Sequence, residues 1–268
     1  MQIAPLNSGS NGNVYYFGKA HESILVDAGL SCKEIEKRFI DLNLDITTVK
    51  AIFITHEHSD HIFGLKTFVK KYKTPVYISE KTLNSARLDV PIDLIRFFQS
   101  HDQVNIGGFQ ITAYPTKHDA VDPHGFFISH SGRSAGIFND IGSACDQVKH
   151  YFSKCQAAFL ECNYDDLLLE NGPYPHHLKE RIRGAYGHLS NLDALSLFKN
   201  YRSKDLSHLF ASHLSAENND PSKVKELFEK EQTAVQILIA GRKSPGPVID
   251  LELPSRNSKE SVGQLSLF

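Results

Sequence analysis

Phe53-Ile54-Thr55-His56-Glu57-His58-Ser59-Asp60-His61 is the stretch on which the reading of this chain turns. Just upstream, Ala51 to Ile54 is a short apolar run of the kind that forms a buried strand. Downstream, Phe63, Leu65, Phe68, Val69 and Tyr72 recur at helical spacing. Between strand and helix lie three imidazoles and two carboxylates within six positions. His56 and His58 are two residues apart, so in an extended segment both side chains point to the same side. Asp60 and His61 fall where the chain turns into the helix, and can point elsewhere. Five ionisable groups beside an apolar strand are costly to bury unless they are paired or bound to metal. Imidazole nitrogen and carboxylate oxygen are the donors that Zn²⁺ takes in catalytic sites, so this loop can feed two adjacent metal ions.

The rest of the chain bounds what such a site can serve. With 268 residues, 41% of them hydrophobic, the chain supports a sizeable core in one large domain or two small ones. Its formal net charge of −2 shows no global basic excess for nucleic acid, although local patches can still serve. Met1-Gln2-Ile3-Ala4-Pro5-Leu6 has no basic segment followed by an apolar one, and no apolar run approaches about 18 residues. A cytoplasmic protein with no membrane partner is therefore expected. Cys32, Cys145, Cys155 and Cys162 include no Cys-x-x-Cys pair, a spacing that suits reduced thiols.

Taken in order, Gln2–Leu6 and Asn13–Phe17 read as strands joined by Asn7-Ser8-Gly9-Ser10-Asn11-Gly12. That polar turn could offer backbone N–H groups to a phosphate, with a plain hairpin turn as its simpler use. Ser23–Val26 is a strand ending at Asp27, and Ser31 caps a helix to about Leu42. Val76–Ile78 is a strand, and Val104–Ile106 with Phe109–Tyr114 forms a hairpin leading to His118. Phe126–Ser129 and Ser134–Phe138 pair and run into Asn139-Asp140, after which Ser143 would cap a helix to about Phe152. Ala157–Leu160 is a buried strand with Glu161 at its end, and Leu178–Arg183 is a basic helical segment. Ser190 or Asn191 caps the helix Leu192–Tyr201, and the strand His208–Ala211 leads to His213. Pro221 opens a helix to about Lys230, and Val235–Ala240 and Val248–Leu253 close the sheet. Strands that end in single ligand-type residues are how a sheet scaffold presents a site on its loops.

In this order, the strand ending in Asp27, the His56-x-His58-x-Asp60-His61 loop, His118, Asp140 and His213 resemble the metallo-β-lactamase fold superfamily, over Met1 to about Pro254. The resemblance implies an α/β fold, a four-layered αββα sandwich with a binuclear metal site at one edge. It further implies that His56, His58 and His118 hold one ion, that Asp60, His61 and His213 hold the other, and that Asp140 bridges them. Two divalent ions are expected, Zn²⁺ ahead of Mn²⁺ or Fe, with a hydroxide between them as nucleophile. Asp60 would also orient that hydroxide, and Asp27 would buttress the loop. Asn139 stands where many members carry Thr, a departure that touches the surrounding hydrogen bonds and not the ligand set.

Gly187-His188-Leu189-Ser190 is similar to the Gly-His-Ser segment of ribonuclease Z relatives, which implies that His188 assists phosphodiester hydrolysis and Glu161 holds its tautomer. Ser8-Gly9-Ser10-Asn11-Gly12-Asn13, Pro175-x-His177-Leu178 and His213-Leu214-Ser215-x-x-Asn218-Asn219 resemble the YycJ/WalJ-like branch, whose members are regarded as DNA exonucleases or phosphodiesterases. His177 matches that branch, whereas His176 and His124 do not and are read as surface residues. Lys179, Arg181 and Arg183 form either a phosphate-contacting patch or a solvated helix face. Residues 1–254 are thus expected to form the hydrolase domain and 255–268 a polar tail. The tail ends in Gln264-Leu265-Ser266-Leu267-Phe268, which looks like the peptide that docks bacterial repair proteins on the polymerase sliding clamp. Gln264, Leu265, Leu267 and Phe268 would make that contact, unless the terminus folds back on the domain. The expected activity is a metal-dependent phosphodiesterase, a DNA exonuclease. Hydrolysis of a small thioester, lactone or cyclic phosphodiester at the same ions is the alternative, and a non-catalytic binding protein is a third reading.

Overall fold

Successive strand residues point to opposite faces, and here the two faces serve different interiors. Tyr15 and Phe17 enter one apolar layer, and Val14 and Tyr16 another. Ala157 and Phe159 likewise share the first layer, while Ala158 and Leu160 enter a third. Three stacked apolar layers require four layers of secondary structure, which is the αββα arrangement expected from the sequence. The computed structural model describes residues 1–251.

The described residues form two seven-stranded sheets. In the first, β1 (Gln2–Asn7), β2 (Val14–Lys19) and β3 (Glu22–Val26) are antiparallel. Beyond β3, the strands β4 (Val49–Phe53), β5 (Val76–Ile78) and β6 (Ile95–Phe97) add in parallel. In the second, β7 (Gln103–Ile106), β8 (Phe109–Pro115), β9 (His124–His130) and β10 (Arg133–Phe138) are antiparallel. Then β11 (Ala157–Glu161), β12 (His208–Ser212) and β13 (Gln236–Ile239) continue in parallel with β10. The chain finally returns to the first sheet, where β14 (Ile249–Asp250) sets Asp250 opposite Gln2 of β1.

Nine α-helices are described. On the first sheet, α1 (Cys32–Asp41) buries Ile35 and Phe39, and α3 (Leu65–Tyr72) buries Leu65, Phe68 and Val69 after the single turn α2 (Ser59–Ile62). A shorter helix, α4 (Glu80–Ala86), is capped by Ser79. The second sheet is covered by α5 (Asp146–Phe152), α8 (Asn191–Tyr201) and α9 (Pro221–Glu229), with α6 (Asp166–Asn171) and α7 (His176–Arg183) preceding α8 in the chain. Val148, Phe152, Ala194, Phe198, Val224 and Phe228 are their buried contacts with it. The expected caps hold at Ser31 and Ser190, which accept from Glu34 N and Asp193 N. No helix among the described residues is long and apolar enough to cross a membrane.

Several elements differ from the sequence reading, among them β6, which it did not contain. The final strand pairs with β1 and so closes the first sheet, while β13 stays at the edge of the second. The helix after the histidine loop is broken in two, because Gly64 donates to Ala28 O at 2.8 Å and a Cβ there would lie 1.9 Å from Leu30 O. Ser143 caps nothing, and α5 begins at Asp146, since Gly142 packs on the Ala185 carbonyl, 2.5 Å from where a Cβ would be. Helix α6 carries no apolar periodicity and rests on Asp165, whose side chain accepts from Leu167 N and Leu168 N.

The centre of the sandwich is aromatic. Phe159 is fully buried, stacked on Phe210 at 4.7 Å between ring centroids and tilted against Tyr15 at 5.0 Å. Phe159→Ala should lower unfolding free energy by about 3–5 kcal/mol in urea titration; a loss under about 1 kcal/mol would show that this layer is not close-packed.

Candidate active site

The carboxyl ends of β3, β4, β10, β11 and β12 meet at one edge of the sandwich and deliver the ligand-type residues there. The extended run after β4 places His56 Nε2 3.0 Å from His58 Nδ1, and His118, on the loop after β8, brings its Nε2 to 3.3 Å from the same atom. His61 turns away into α2. Its Nε2 lies 3.1 Å from Asp140 Oδ2 and 3.6 Å from Asp60 Oδ2. His213, immediately after β12, sets Nδ1 2.9 Å from the same Asp140 oxygen.

Backing acceptors decide which nitrogen each histidine presents. Asp27 is buried at the end of β3 and accepts from Thr55 N at 2.9 Å and from His61 Nδ1 at 2.8 Å. The Thr55 hydroxyl also donates to Asp27, which leaves its oxygen to accept from His56 Nδ1 at 3.0 Å. His118 Nδ1 donates to Gly187 O at 3.0 Å. In all three histidines, Nδ1 therefore carries a hydrogen and Nε2 faces the cluster, as a free lone pair in the neutral imidazoles of His56 and His118. Burial pushes the His56 and His118 imidazoles below the ordinary range. Burial would do the same to His61, but the Asp27 and Asp140 carboxylates outweigh it and hold His61 well above.

His56 Nε2 and His118 Nε2 both aim lone pairs at His58 Nδ1, which can give a hydrogen to only one of them, whereas a cation between the three would satisfy all. Zn–N bonds of about 2.0–2.1 Å in a tetrahedral site set neighbouring donors about 3.3 Å apart, close to the separations around His58 Nδ1. Asp140 Oδ2 and His213 Nδ1 are buried and make no hydrogen bond with acceptable geometry despite their 2.9 Å approach. Orphaned buried polar atoms of this kind are expected of groups pointing at a shared ion. His56, His58 and His118 form one set of donors able to hold a metal, and His56, His61 and Asp140 another. Asp27, Asp140 and His213 all adopt left-handed backbone, with φ of 61°, 51° and 53°. L-residues pay for that conformation, and strain of this sort concentrates at functional sites.

Beside the cluster, His188 Nδ1 lies 2.7 Å from Glu161 Oε1 and 3.6 Å from Asp140 Oδ1. Glu161 is fully buried, and its other oxygen accepts from Ile141 N at 2.8 Å. Burial would lower the His188 pKa, but the Glu161 charge outweighs it and pushes it up to about 9. The His188 ring lies between His118 and His213, at 5.2 and 5.4 Å.

The chain matches the family model of the metallo-beta-lactamase superfamily over residues 8–184. It belongs to that superfamily. Among curated superfamily relatives it is 35% identical over 222 residues to exodeoxyribonuclease YycJ of Bacillus anthracis, covering 82% of this chain and 84% of the relative. It is 32% identical to exodeoxyribonuclease WalJ of Streptococcus pneumoniae, covering 83% of each. Among solved structures, the metallo-beta-lactamase fold protein YhfI from Bacillus subtilis superposes with a TM-score of 0.71 at 18% identity, over 92% of this chain and 98% of that one. Homology and donor geometry together make this superfamily member a metal-dependent hydrolase.

The remaining anticipated residues divide. In α7, Arg181 bonds Asp119 Oδ2 at 2.5 Å, and Asp119 in turn lies 3.3 Å from His118 Nε2. Lys179 and Arg183 both engage Glu170, and His177 is exposed. His124 is a correction: it is buried and not on the surface, bonded to Ser100 Oγ and Asp122 O and packed edge-on to Phe98. Asn219 exchanges two 2.9 Å hydrogen bonds with Asn191 and donates to Cys162 O, so its motif position serves the scaffold.

Sequence reasoning missed Asn13 and the network behind it. Asn13 Nδ2 lies 3.2 Å from Asp60 Oδ2 and 3.1 Å from His61 Nε2, and its oxygen accepts from Gly9 N and Tyr15 OH. Tyr15 OH in turn meets Ser8 Oγ and Asn139 Nδ2, and Asn139 Oδ1 accepts from Ser212 Oγ. Ser8 Oγ also accepts from His213 N at 2.7 Å. The Ser8–Asn13 motif could have flagged these residues, but nothing local shows that the loop reaches Asp60.

Asp27→Asn should present an amide N–H to His61 Nδ1, reverse its tautomer and weaken metal retention about 10- to 100-fold against a competing chelator. Unchanged retention in a folded variant would remove Asp27 from the support of the site.

Proposed function

We propose that the protein is a two-metal phosphodiesterase that acts on DNA as an exonuclease, with His56, His58 and His118 holding one ion and Asp60, His61 and His213 the other, joined through Asp140. Zn²⁺ suits these donors best, with Mn²⁺ or Fe as substitutes. Such ions would lower the pKa of water to make a nucleophile and neutralise charge on the phosphoryl oxygens. The observation that carries the reading is the Glu161–His188 pair beside the cluster.

Cleaving a phosphodiester expels an alkoxide, which needs a proton. Glu161 accepts from His188 Nδ1, and this bond leaves Nε2 as the nitrogen that can face a substrate. With its pKa raised, the imidazole carries a proton at neutral pH and delivers it from Nε2 to the leaving oxygen. Asp60, held by Asn13, accepts a hydrogen bond from the attacking water and orients it. Arg181 is the α7 cation nearest the cluster, reaching it through Asp119, and is proposed to meet a strand phosphate there. His177, Lys179 and Arg183 would contact the strand farther out, the latter two by exchanging Glu170 for phosphate. The names of the two curated relatives, each an exodeoxyribonuclease matched over more than four-fifths of its length, support DNA as the substrate.

Residues 1–254 would form the hydrolase domain and 255–268 a tether. The tail lies outside the described residues, and its Gln264, Leu265, Leu267 and Phe268 are proposed to dock on a sliding clamp in the cytoplasm.

End-labelled single- and double-stranded DNA incubated with the Zn²⁺- or Mn²⁺-loaded protein should release nucleotides. Turnover of a thioester or lactone with intact DNA would transfer the site to small-molecule hydrolysis. His188→Ala should cut kcat on DNA about 10²- to 10⁴-fold while metal content stays at the wild-type value. Loss of metal in that variant would make His188 a ligand. Deleting residues 264–268 should abolish binding to a purified clamp and spare turnover of short substrates; clamp affinity that survives the deletion ends the docking proposal.

A further inference from the structure

Several cations around the sandwich are neutralised by carboxylates. Arg38 pairs with Glu34, Arg181 with Asp119, Arg183 with Glu170, and Lys66 and Lys70 share Asp89. Arg242 and Lys243 have no carboxylate partner among the described residues, and they stand side by side at one cavity. Both line a cavity of about 600 Å³, and no Asp or Glu lines it. Its apolar wall includes Leu214 and Ile239, and its polar lining includes Asn11 and Ser215.

Arg242 is held in place from three sides. Its Nη1 donates to Leu214 O at 3.0 Å and its Nη2 to Ser10 Oγ at 3.3 Å, leaving three of the five guanidinium hydrogens uncommitted. Its backbone carbonyl accepts from Asn11 Nδ2 at 2.8 Å. The stem passes so close to Gly9 that a Cβ there would lie 3.1 Å from Arg242 Cγ, and the φ of +132° at Gly9 already disfavours any other residue. The cavity is also tied to the metal cluster. Ser8 donates its N–H to Gly241 O and accepts from His213 N, and Leu214 directly follows His213. The cavity thus adjoins the His213 side of the centre, through Leu214 and Gly241.

A preorganised guanidinium with an ammonium neighbour, free of carboxylates and backed by an apolar wall, selects an anion carrying an organic group. The volume suits a nucleotide. We propose that this cavity is a substrate subsite that receives the nucleotide next to the bond being cut, its phosphate on Arg242 and Lys243 and its sugar or base against Leu214 and Ile239. The proposal rests on the phosphodiesterase reading and adds a direction to it: the strand runs across the centre from the α7 side to this cavity.

The test compares two substrates of the metal-loaded protein, a short single-stranded oligodeoxynucleotide and bis(4-nitrophenyl) phosphate, which has no neighbouring phosphate to occupy the cavity. Lys243→Ala carries the experiment, because Lys243 is exposed and supports no loop; Arg242→Ala and Arg242→Lys accompany it, with melting curves to check folding. Each alanine variant should raise the oligonucleotide KM about tenfold and leave its kcat near wild type, with Arg242→Lys recovering part of the loss. The salt dependence of oligonucleotide binding should also fall by about 0.7 in log–log slope for each cation removed. Unchanged KM and salt slope would overturn the proposal, as would an equal loss on both substrates, which marks a structural effect. A wild-type protein that hydrolyses bis(4-nitrophenyl) phosphate and no oligonucleotide would overturn the DNA reading, and the subsite with it.

Discussion

The buried carboxylate of Asp27 is the contact on which the site depends. It takes the Thr55 N–H, the Thr55 hydroxyl and the His61 Nδ1 hydrogen together. Burial pushes this carboxyl up, and His61 and Thr55 work against that by stabilising its charge. Because Thr55 gives its hydrogen to Asp27, its oxygen is free for His56, and one acid thereby sets the tautomer of two histidines that face different parts of the cluster. The bonds also join β3 to the loop after β4, so the histidine segment is extended and fixed before any ion arrives. Preorganisation of this kind lets a site bind metal without first ordering a loop.

A second set of constraints ties the two sheets together behind the cluster. Ser8, Asn13 and Tyr15 belong to the first sheet and its β1–β2 loop, and Asn139, Ser212 and His213 to the second. Buried hydroxyls and amides are costly when unpaired and rigid when each finds its partner. The Tyr15–Asn139 and Ser8–His213 contacts cross the sandwich, so sliding one sheet past the other would strand these polar atoms at once. The left-handed His213 is itself tied into this seam through its N–H on Ser8. The aromatic layer around Phe159 supplies cohesion, and the polar seam supplies register.

Electrostatics give the edge of the sandwich its sidedness. Around the centre, the carboxylates Asp27, Asp60, Asp140 and Glu161 face histidines, whereas the flanks carry guanidinium groups. Arg181 is already neutralised by Asp119, while Arg242 is held by neutral acceptors and keeps its field. A chain whose formal net charge is only −2 can therefore present a strongly cationic cavity beside an acidic, metal-ready centre.

Much of this was legible in the order of residues. Period-two strands and capped helices are local properties, and His56, His58, Asp60 and His61 sit so close in the chain that any strand-to-helix turn must bring them together. His118, Asp140, Glu161, His188 and His213 each stand at or just beyond a strand end or helix start, where the chain order alone points to the same edge. Other features depended on contacts between distant segments. Which nitrogen each histidine presents is set by Asp27, Thr55 and Gly187 O; His124 is buried by Phe98 and Ser100; Lys179 and Arg183 turn to Glu170; β14 crosses to the first sheet. Asn13 reaches Asp60 across 47 positions, and Arg242 reaches Ser10 across 232. The sequence determined which donors exist and which edge receives them, because spacing along a strand is fixed by backbone geometry. Only the tertiary structure decided which lone pairs converge and which cations stay unpaired, because a hydrogen bond is directional and its partner can come from anywhere in the chain.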